Sequence, residues 1–156
     1  MHRTATITIP GSVLRMAQVP ILRIQFLLDP PTNIDSVQFA YSLAYALVEG
    51  SADFLEVPSS DLNTTVAYSG DSALPQIILY DNVPGGAGLV ARLEDKEILR
   101  ACLESAFNRV NGNCGCGEND SCYGCLRSYR NQFAHHYLKR GVVLYYLETL
   151  LVKWRD

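Results

Sequence analysis

The sequence predicts an α+β domain, with a small β-sheet from the N-terminal half packed by helices and a four-cysteine loop between helices of the C-terminal half. Three observations point there. Short runs of strand-forming residues mark the first eighty positions, apolar residues at helical spacing mark the remainder, and four of the five cysteines fall between positions 114 and 125. A chain of 156 residues with 48% hydrophobic content is long enough to bury a sizeable core in one globular unit. Residues 1–156 therefore read as a single domain. Its first part (1–80) is mostly strands with a central helix, and its second (81–156) holds a glycine loop, helices and the cysteine motif.

Each element follows from local pattern. Thr4-Ala5-Thr6-Ile7-Thr8-Ile9 alternates polar and apolar at period two and stops at Pro10-Gly11, which predicts a strand. Ile21 to Leu28 is a second strand-forming run, ended by Asp29-Pro30-Pro31. Asn33 or Asp35 then caps a helix through Val37, Ala40, Tyr41, Leu43, Ala44, Leu47 and Val48. That helix is apolar nearly all round, so it belongs at the centre of the core, and Gly50 is expected to interrupt it. Thr64-Thr65-Val66-Ala67-Tyr68 predicts another strand. Gln76-Ile77-Ile78-Leu79-Tyr80, a short apolar run, predicts a buried one. Ile98, Leu99, Cys102, Leu103, Ala106, Phe107 and Val110 share one face of a helix over about Asp95–Val110, so Cys102 is a core residue. Tyr129, Phe133, Tyr137 and Leu138 continue at helical spacing, and Val143, Leu147, Leu150, Leu151 and Trp154 mark a last helix.

The stretch from Asn111 to Ser121 contains only Asn, Gly, Cys, Glu, Asp and Ser. Nothing there folds by burying apolar carbon. The cysteines come as C-x-C (Cys114, Cys116) and C-x2-C (Cys122, Cys125), and each close pair chelates two corners of a tetrahedron. A metal held by four thiolates then replaces the missing core. Glycines at 112, 115, 117 and 124 are expected to supply positive-φ turns that aim amides at sulfur. Two disulfides or four separate thiols are the competing readings, and an iron–sulfur cluster uses the same ligands. The N-terminus leads into no signal-peptide core, and no apolar run is long enough to span a membrane. A reducing, cytoplasmic setting is expected, in which paired cysteines bind metal more often than each other.

The net charge of −3 argues against a wholly basic nucleic-acid binder but hides an asymmetry. Ile24 to Ala91 carries eight acids and no Lys or Arg, whereas Arg127, Arg130, Lys139 and Arg140 follow the cysteines with no acid until Glu148. That basic flank suits phosphate contact; Arg127 and Arg130 equally suit neutralising a tetrathiolate. His136 and Arg140, with Gln132, are expected on one helical face. His135 and His136 are adjacent, so on a helix they diverge by about 100° and do not share an ion. Pro84-Gly85-Gly86-Ala87-Gly88 follows a strand and opens a helix. Gly85, Gly86 and Gly88 are thus a candidate anion-binding loop, although the loop lacks the partners of a P-loop or a G-x-G-x-x-G, and close helix packing is the preferred account. Asp61 and Asp81 sit where catalytic carboxylates are found, but turn or capping roles come first. No Ser/His/Asp order, acid dyad or H-E-x-x-H supports a catalytic residue.

These motifs in this order resemble one known family. Leu79-Tyr80-Asp81-Asn82-Val83-Pro84-Gly85-Gly86-Ala87-Gly88, Cys114-x-Cys116, Cys122-x2-Cys125-Leu126, Asn131-Gln132, His136 and Leu138-x-Arg140 are similar to the zinc-binding C-terminal domain of mitomycin-repair-type superfamily 2 DExH-box helicases. Parts of DISARM-like phage-defence proteins are similar too. The likeness is strong over the last half of the chain and looser over Tyr41-x-Leu43-Ala44-Tyr45-Ala46-Leu47. It implies that Cys114, Cys116, Cys122 and Cys125 hold Zn2+. It also implies a non-catalytic accessory module working beside a helicase motor, in cis or in trans, with DNA as a further partner. The chain departs from that context in having no GK[ST], no DExH box and no motor motifs. A scaffold subunit that touches only protein is the alternative, and a nucleic-acid-processing enzyme using Asp61, Asp81 or His136 ranks below both.

Overall fold

A computed structural model describes residues 7–8, 14–16, 19–26, 28–67, 76–83 and 88–154. The sheet is antiparallel throughout. Strands β1 (Ile7–Thr8) and β2 (Leu14–Met16) both pair with β3 (Val19–Phe26), which pairs with β5 (Gln76–Asp81), and β5 pairs with β4 (Leu62–Ala67). The remaining predicted residues of the first strand lie outside the described set. β2 was not foreseen, because three residues give no period to read.

Register explains what the sheet buries. Leu22 stands opposite Leu79, which stands opposite Thr64, and Ile24, Ile77 and Val66 make the next row. Burial alternates along β5, with Ile77, Leu79 and Asp81 buried and Gln76, Ile78 and Tyr80 half-buried. The apolar run Gln76–Tyr80 is thus a strand covered closely on one face, not one equally buried on both. Continuous hydrophobicity does not distinguish the two cases; alternation of burial does.

Helix α1 (Ser36–Leu55) covers that face. Asp35 starts it, its carboxylate accepting from the amides of Val37 and Gln38 at 2.8 and 3.2 Å, as expected of an N-cap. Gly50 does not interrupt the helix. α1 runs unbroken to Leu55 and ends at Glu56 in a left-handed conformation (φ 60°). Gly50 serves packing instead. A Cβ built there would lie 2.5–2.7 Å from the backbone N, Cα and Cβ of Ala106, so only hydrogen lets helix α3 (Lys96–Arg109) come this close. Asp95 caps α3, and Leu99, Cys102, Leu103 and Ala106 form its buried stripe, which matches the face expected from sequence. Burial pushes the Cys102 thiol pKa up, in keeping with an inert core residue.

Asp81 ends β5 and caps helix α2 (Leu89–Arg92). Its carboxylate accepts from the amides of Gly88, Leu89 and Val90 at 2.9, 3.2 and 3.0 Å. Helix α4 (Arg140–Lys153) closes the other side, with Val143, Tyr146, Leu147 and Leu150 buried. Its Tyr146 donates to the Leu28 carbonyl at 2.7 Å and meets the ring of Phe39 edge-on. One hydrophobic cluster runs from the sheet through α1 to α3 and α4, and reaches Cys125 and Leu126. The Gly50–Ala106 contact predicts that Gly50→Ala lowers stability in urea unfolding by about 1–3 kcal/mol, the usual cost of overpacking, despite the better helix propensity of alanine.

Candidate metal centre

The loop between α3 and α4 is built from short turns. Gly112 (φ 104°) and Gly115 (φ 91°) are left-handed, and the Gly115 amide donates to the Gly112 carbonyl at 3.0 Å. Gly117 and Gly124 are not in that region, so two of the four expected positive-φ turns exist. Gly124 is needed for space: a Cβ there would sit 3.1 Å from that of Cys114 and 3.5 Å from the Cys122 sulfur. Around the second cysteine pair, the amides of Cys125, Leu126 and Arg127 all donate to the Cys122 carbonyl. The Cys122 amide donates to the Cys125 sulfur at 3.2 Å.

These turns bring the sulfurs of Cys114, Cys116, Cys122 and Cys125 within 4.8 Å of one another. Cys114 Sγ is 3.5 Å from Cys116 Sγ, which is 3.8 Å from Cys125 Sγ. A tetrahedron with metal–sulfur bonds of about 2.3 Å has edges of about 3.8 Å, so the cluster has the size of a tetrathiolate site. All five cysteines are free thiols. The donor set also fits a cation. Burial acts to raise the Cys114 pKa, but hydrogen bonds from the Cys116 backbone and the other three thiols bring it down to about 7. Cys116 and Cys125 are pushed up, first by burial; for Cys125 the charges of the neighbouring sulfurs add to this. Four thiols this close do not ionise together unless a positive charge joins them.

The loop is fastened to the helices mainly by arginine. Arg140, buried at the start of α4, donates to the carbonyls of Val110 (3.0 Å) and Cys116 (2.8 Å). The Arg140 and Gly141 amides donate to the carbonyls of Asp120 and Glu118. From α3, Arg109 Nε donates to the Cys125 carbonyl at 2.7 Å, while its other nitrogens pair with Glu49 (3.3 Å) and Asp53 (3.0 Å) of α1. Sequence reasoning missed Arg109, which sits in the last turn of a helix and looks there like an ordinary capping cation.

The predicted basic flank is divided accordingly. Arg127 donates to Ser121 Oγ at 2.9 Å and pairs with Asp120 at 3.2 Å. Arg130 donates to the carbonyls of Ser60 and Leu62. Arg140 is inside, and Lys139 is half-buried beside it. The guanidinium groups of Arg127 and Arg130 bond no cysteine; from this flank, Arg127 holds the loop through Ser121 and Asp120, and Arg140 holds it through the Cys116 carbonyl. The expected helical face of Gln132, His136 and Arg140 does not exist. Residues Tyr129–Tyr137 form a 3-10 segment kinked at Asn131, and Leu138 is extended. The cause is Asn131, whose amide accepts from the Ser128 N–H and donates to the Leu126 carbonyl, both at 2.8 Å. His135 Nε2 lies 2.8 Å from Asn131 Oδ1 and 3.0 Å from the Ser128 carbonyl. Both are acceptors, so that nitrogen carries the proton.

The candidate anion loop differs from expectation as well. Gly85 and Gly86 lie outside the described residues. Gly88 has φ 74° and open space around a built Cβ, so it serves conformation, not close packing. Its amide, with those of Leu89 and Val90, is already bonded to Asp81, which takes the place of an external anion.

A cluster of four sulfurs in a loop clamped between helices of an α+β fold defines a structural metal-binding module. The family model described as the MrfA Zn-binding domain matches residues 43–126, more than half of the chain and all four cysteines. The chain belongs to that family, and its four-cysteine cluster fits Zn2+. The fold is similar to that of the DUF1998 helicase MrfA bound to DNA, at 13% identity and a TM-score of 0.55, over 96% of this chain and 24% of that one. It is also similar to the same helicase bound to DNA and AMPPNP, at 15% identity and a TM-score of 0.52, over 92% of this chain and 22% of that one. The chain thus spans about a quarter of the solved helicase chains it matches. No curated protein matches it. Among the described residues, no helix is long and apolar enough to cross a membrane.

Two outcomes follow from the clamps. Arg140→Met leaves the Val110 and Cys116 carbonyls without their donor, and we expect a loss of about 1.5–3 kcal/mol in urea unfolding for each charged hydrogen bond removed. Glu49 is the second case: burial holds its carboxyl above the ordinary value of 4.5, with Arg109 opposing. A raised carboxyl contributes stability below the unfolded value and loses it as pH rises through the folded one. Unfolding of wild type and Glu49→Gln across a pH series should therefore show wild type losing ground to the variant as pH rises above about 4.5.

Proposed function

We propose that this chain is the zinc-binding accessory module of a helicase, in which Cys114, Cys116, Cys122 and Cys125 hold one Zn2+ and the module helps the motor hold nucleic acid. The convergence of the four sulfurs within 4.8 Å, in a chain of this family, carries the reading. A bound zinc ion supplies a structural cross-link, with no open position for chemistry. The chain's own residues do the rest. Arg109 and Arg140 bind the carbonyls of Cys125 and Cys116 and so fix both cysteine pairs against α1, α3 and α4. The sequence has no GK[ST] or DExH box, so the motor is a neighbouring domain or subunit, and the module itself is non-catalytic.

A second reading, docking to protein alone, is favoured by the inward use of Arg130 and Arg140. DNA affinity of the chain in a salt series separates the two. Phosphate contact makes binding fall steeply with salt, whereas absent binding together with capture of a motor subunit supports docking.

Metal analysis tests the centre directly. We expect one zinc per chain, lost on changing any of the four cysteines to serine and retained in Cys102→Ala. Chelation should open positions 111–129 to protease, because zinc binding of about 10–16 kcal/mol rivals the stability of a whole domain. A loop that stays protected after chelation would sink the structural role of the metal.

A further inference from the structure

Among the described residues, two of the most exposed large hydrophobic side chains, Tyr129 (83% exposed) and Phe133 (62%), lie on the 3-10 segment after the cysteine loop. Phe133 is part of a row of rings. Tyr41 of α1 meets it edge-on at 6.0 Å and stacks on Tyr137 at 5.6 Å with planes 13° apart; His136 lies against Tyr137 at 4.0 Å. The row is anchored from beneath. Ser42 Oγ donates to the Tyr137 carbonyl and accepts from the Lys139 amide, and Ala134 and Leu138 are buried. Neighbouring exposed rings on a rigid support are not needed for this core and mark a contact surface.

Charge narrows the partner. From Ser121 to Leu147 the sequence contains no acid. Lys139 follows the row directly and makes no ion pair among the described residues. Arg130 reaches back to the carbonyls of Ser60, on the neighbouring 3-10 turn Ser59–Asp61, and of Leu62. Although burial holds the Tyr45 hydroxyl above its ordinary pKa, the Arg130 charge opposes that rise. Flat rings bordered by positive charge complement a ligand with flat faces and a negative backbone. In a duplex those faces are hidden in the stack.

We propose that Phe133, with Tyr41, Tyr137 and His136 behind it and Lys139 at its edge, is a platform on which unpaired bases of a single-stranded nucleic acid stack. The proposal rests on the accessory reading above and adds the form of nucleic acid recognised. It is tested by anisotropy of the whole chain with a labelled oligothymidine of about fifteen nucleotides, near the upper site size for such surfaces, and with a duplex of equal length. Single strand should bind more tightly than duplex. Phe133→Ala should weaken single-strand binding about tenfold, within the range for losing one stacked base, with salt dependence and zinc content unchanged. Phe133→Trp should restore binding, and Lys139→Gln should flatten the salt dependence by about 0.7 in logarithmic slope.

Equal affinity for both forms would overturn the platform. So would salt-dependent single-strand binding indifferent to Phe133, an outcome that leaves the accessory reading standing. If no nucleic acid binds and Phe133→Ala instead weakens capture of a motor subunit, the rings are a protein contact. The nucleic-acid part of both proposals then falls.

Discussion

The constraint on which the structure turns is the meeting of four sulfurs in a loop that has almost no hydrocarbon of its own. A segment of Asn, Gly, Cys, Glu and Asp gains little from leaving water and loses much conformational entropy when ordered. Here it is ordered by two kinds of contact. Sulfur crowding defines a centre of tetrathiolate size, and guanidinium groups from α3 and α4 bind the loop's carbonyls. Buried carbonyls require donors, and a guanidinium serves two at once while carrying positive charge toward the thiolates. The loop therefore depends on the helices that supply those guanidinium groups.

Helix α1 is the other half of this arrangement. It covers the sheet on one side and meets α3 through Gly50 on another, where an absent side chain sets the approach of the two helices. Glu49, one residue before that contact, and Asp53, three after it, hold Arg109, which in turn holds the Cys125 carbonyl. A path of direct contacts thus links the centre of the core to the metal loop. Asp81 plays a comparable part at the sheet end, since its carboxylate satisfies three amides of the α2 turn.

Much of this was legible in the residues. Asp35, with Asn33, marked the start of α1 because a polar side chain before an apolar-periodic run satisfies orphan amides, and the apolar period alone placed α3. Cys102 read as core from its place on the α3 stripe. The cysteine spacing pointed to a metal because close pairs in a polar loop have few other uses. Other features were not legible, each for a physical reason. Gly50 looks like a breaker until the helix that packs on it is known. The spacing from Tyr129 to Leu138 looks helical, but Asn131 spends its amide on local backbone groups and kinks the segment. Arg127, Arg130, Lys139 and Arg140 form one cluster in sequence, yet the three guanidinium groups part: Arg127 turns to Ser121 and Asp120, Arg130 to the carbonyls of Ser60 and Leu62, and Arg140 to those of Val110 and Cys116.

The sequence by itself determined the α+β class, the main strands and helices and the thiols that come together, since those depend on local period, capping and ligand spacing. The tertiary structure alone decided what each cation and glycine is for. A guanidinium or a missing Cβ acts on whatever the fold brings against it, and those neighbours are distant in the chain: Arg109 and Cys125, Arg140 and Val110, Gly50 and Ala106.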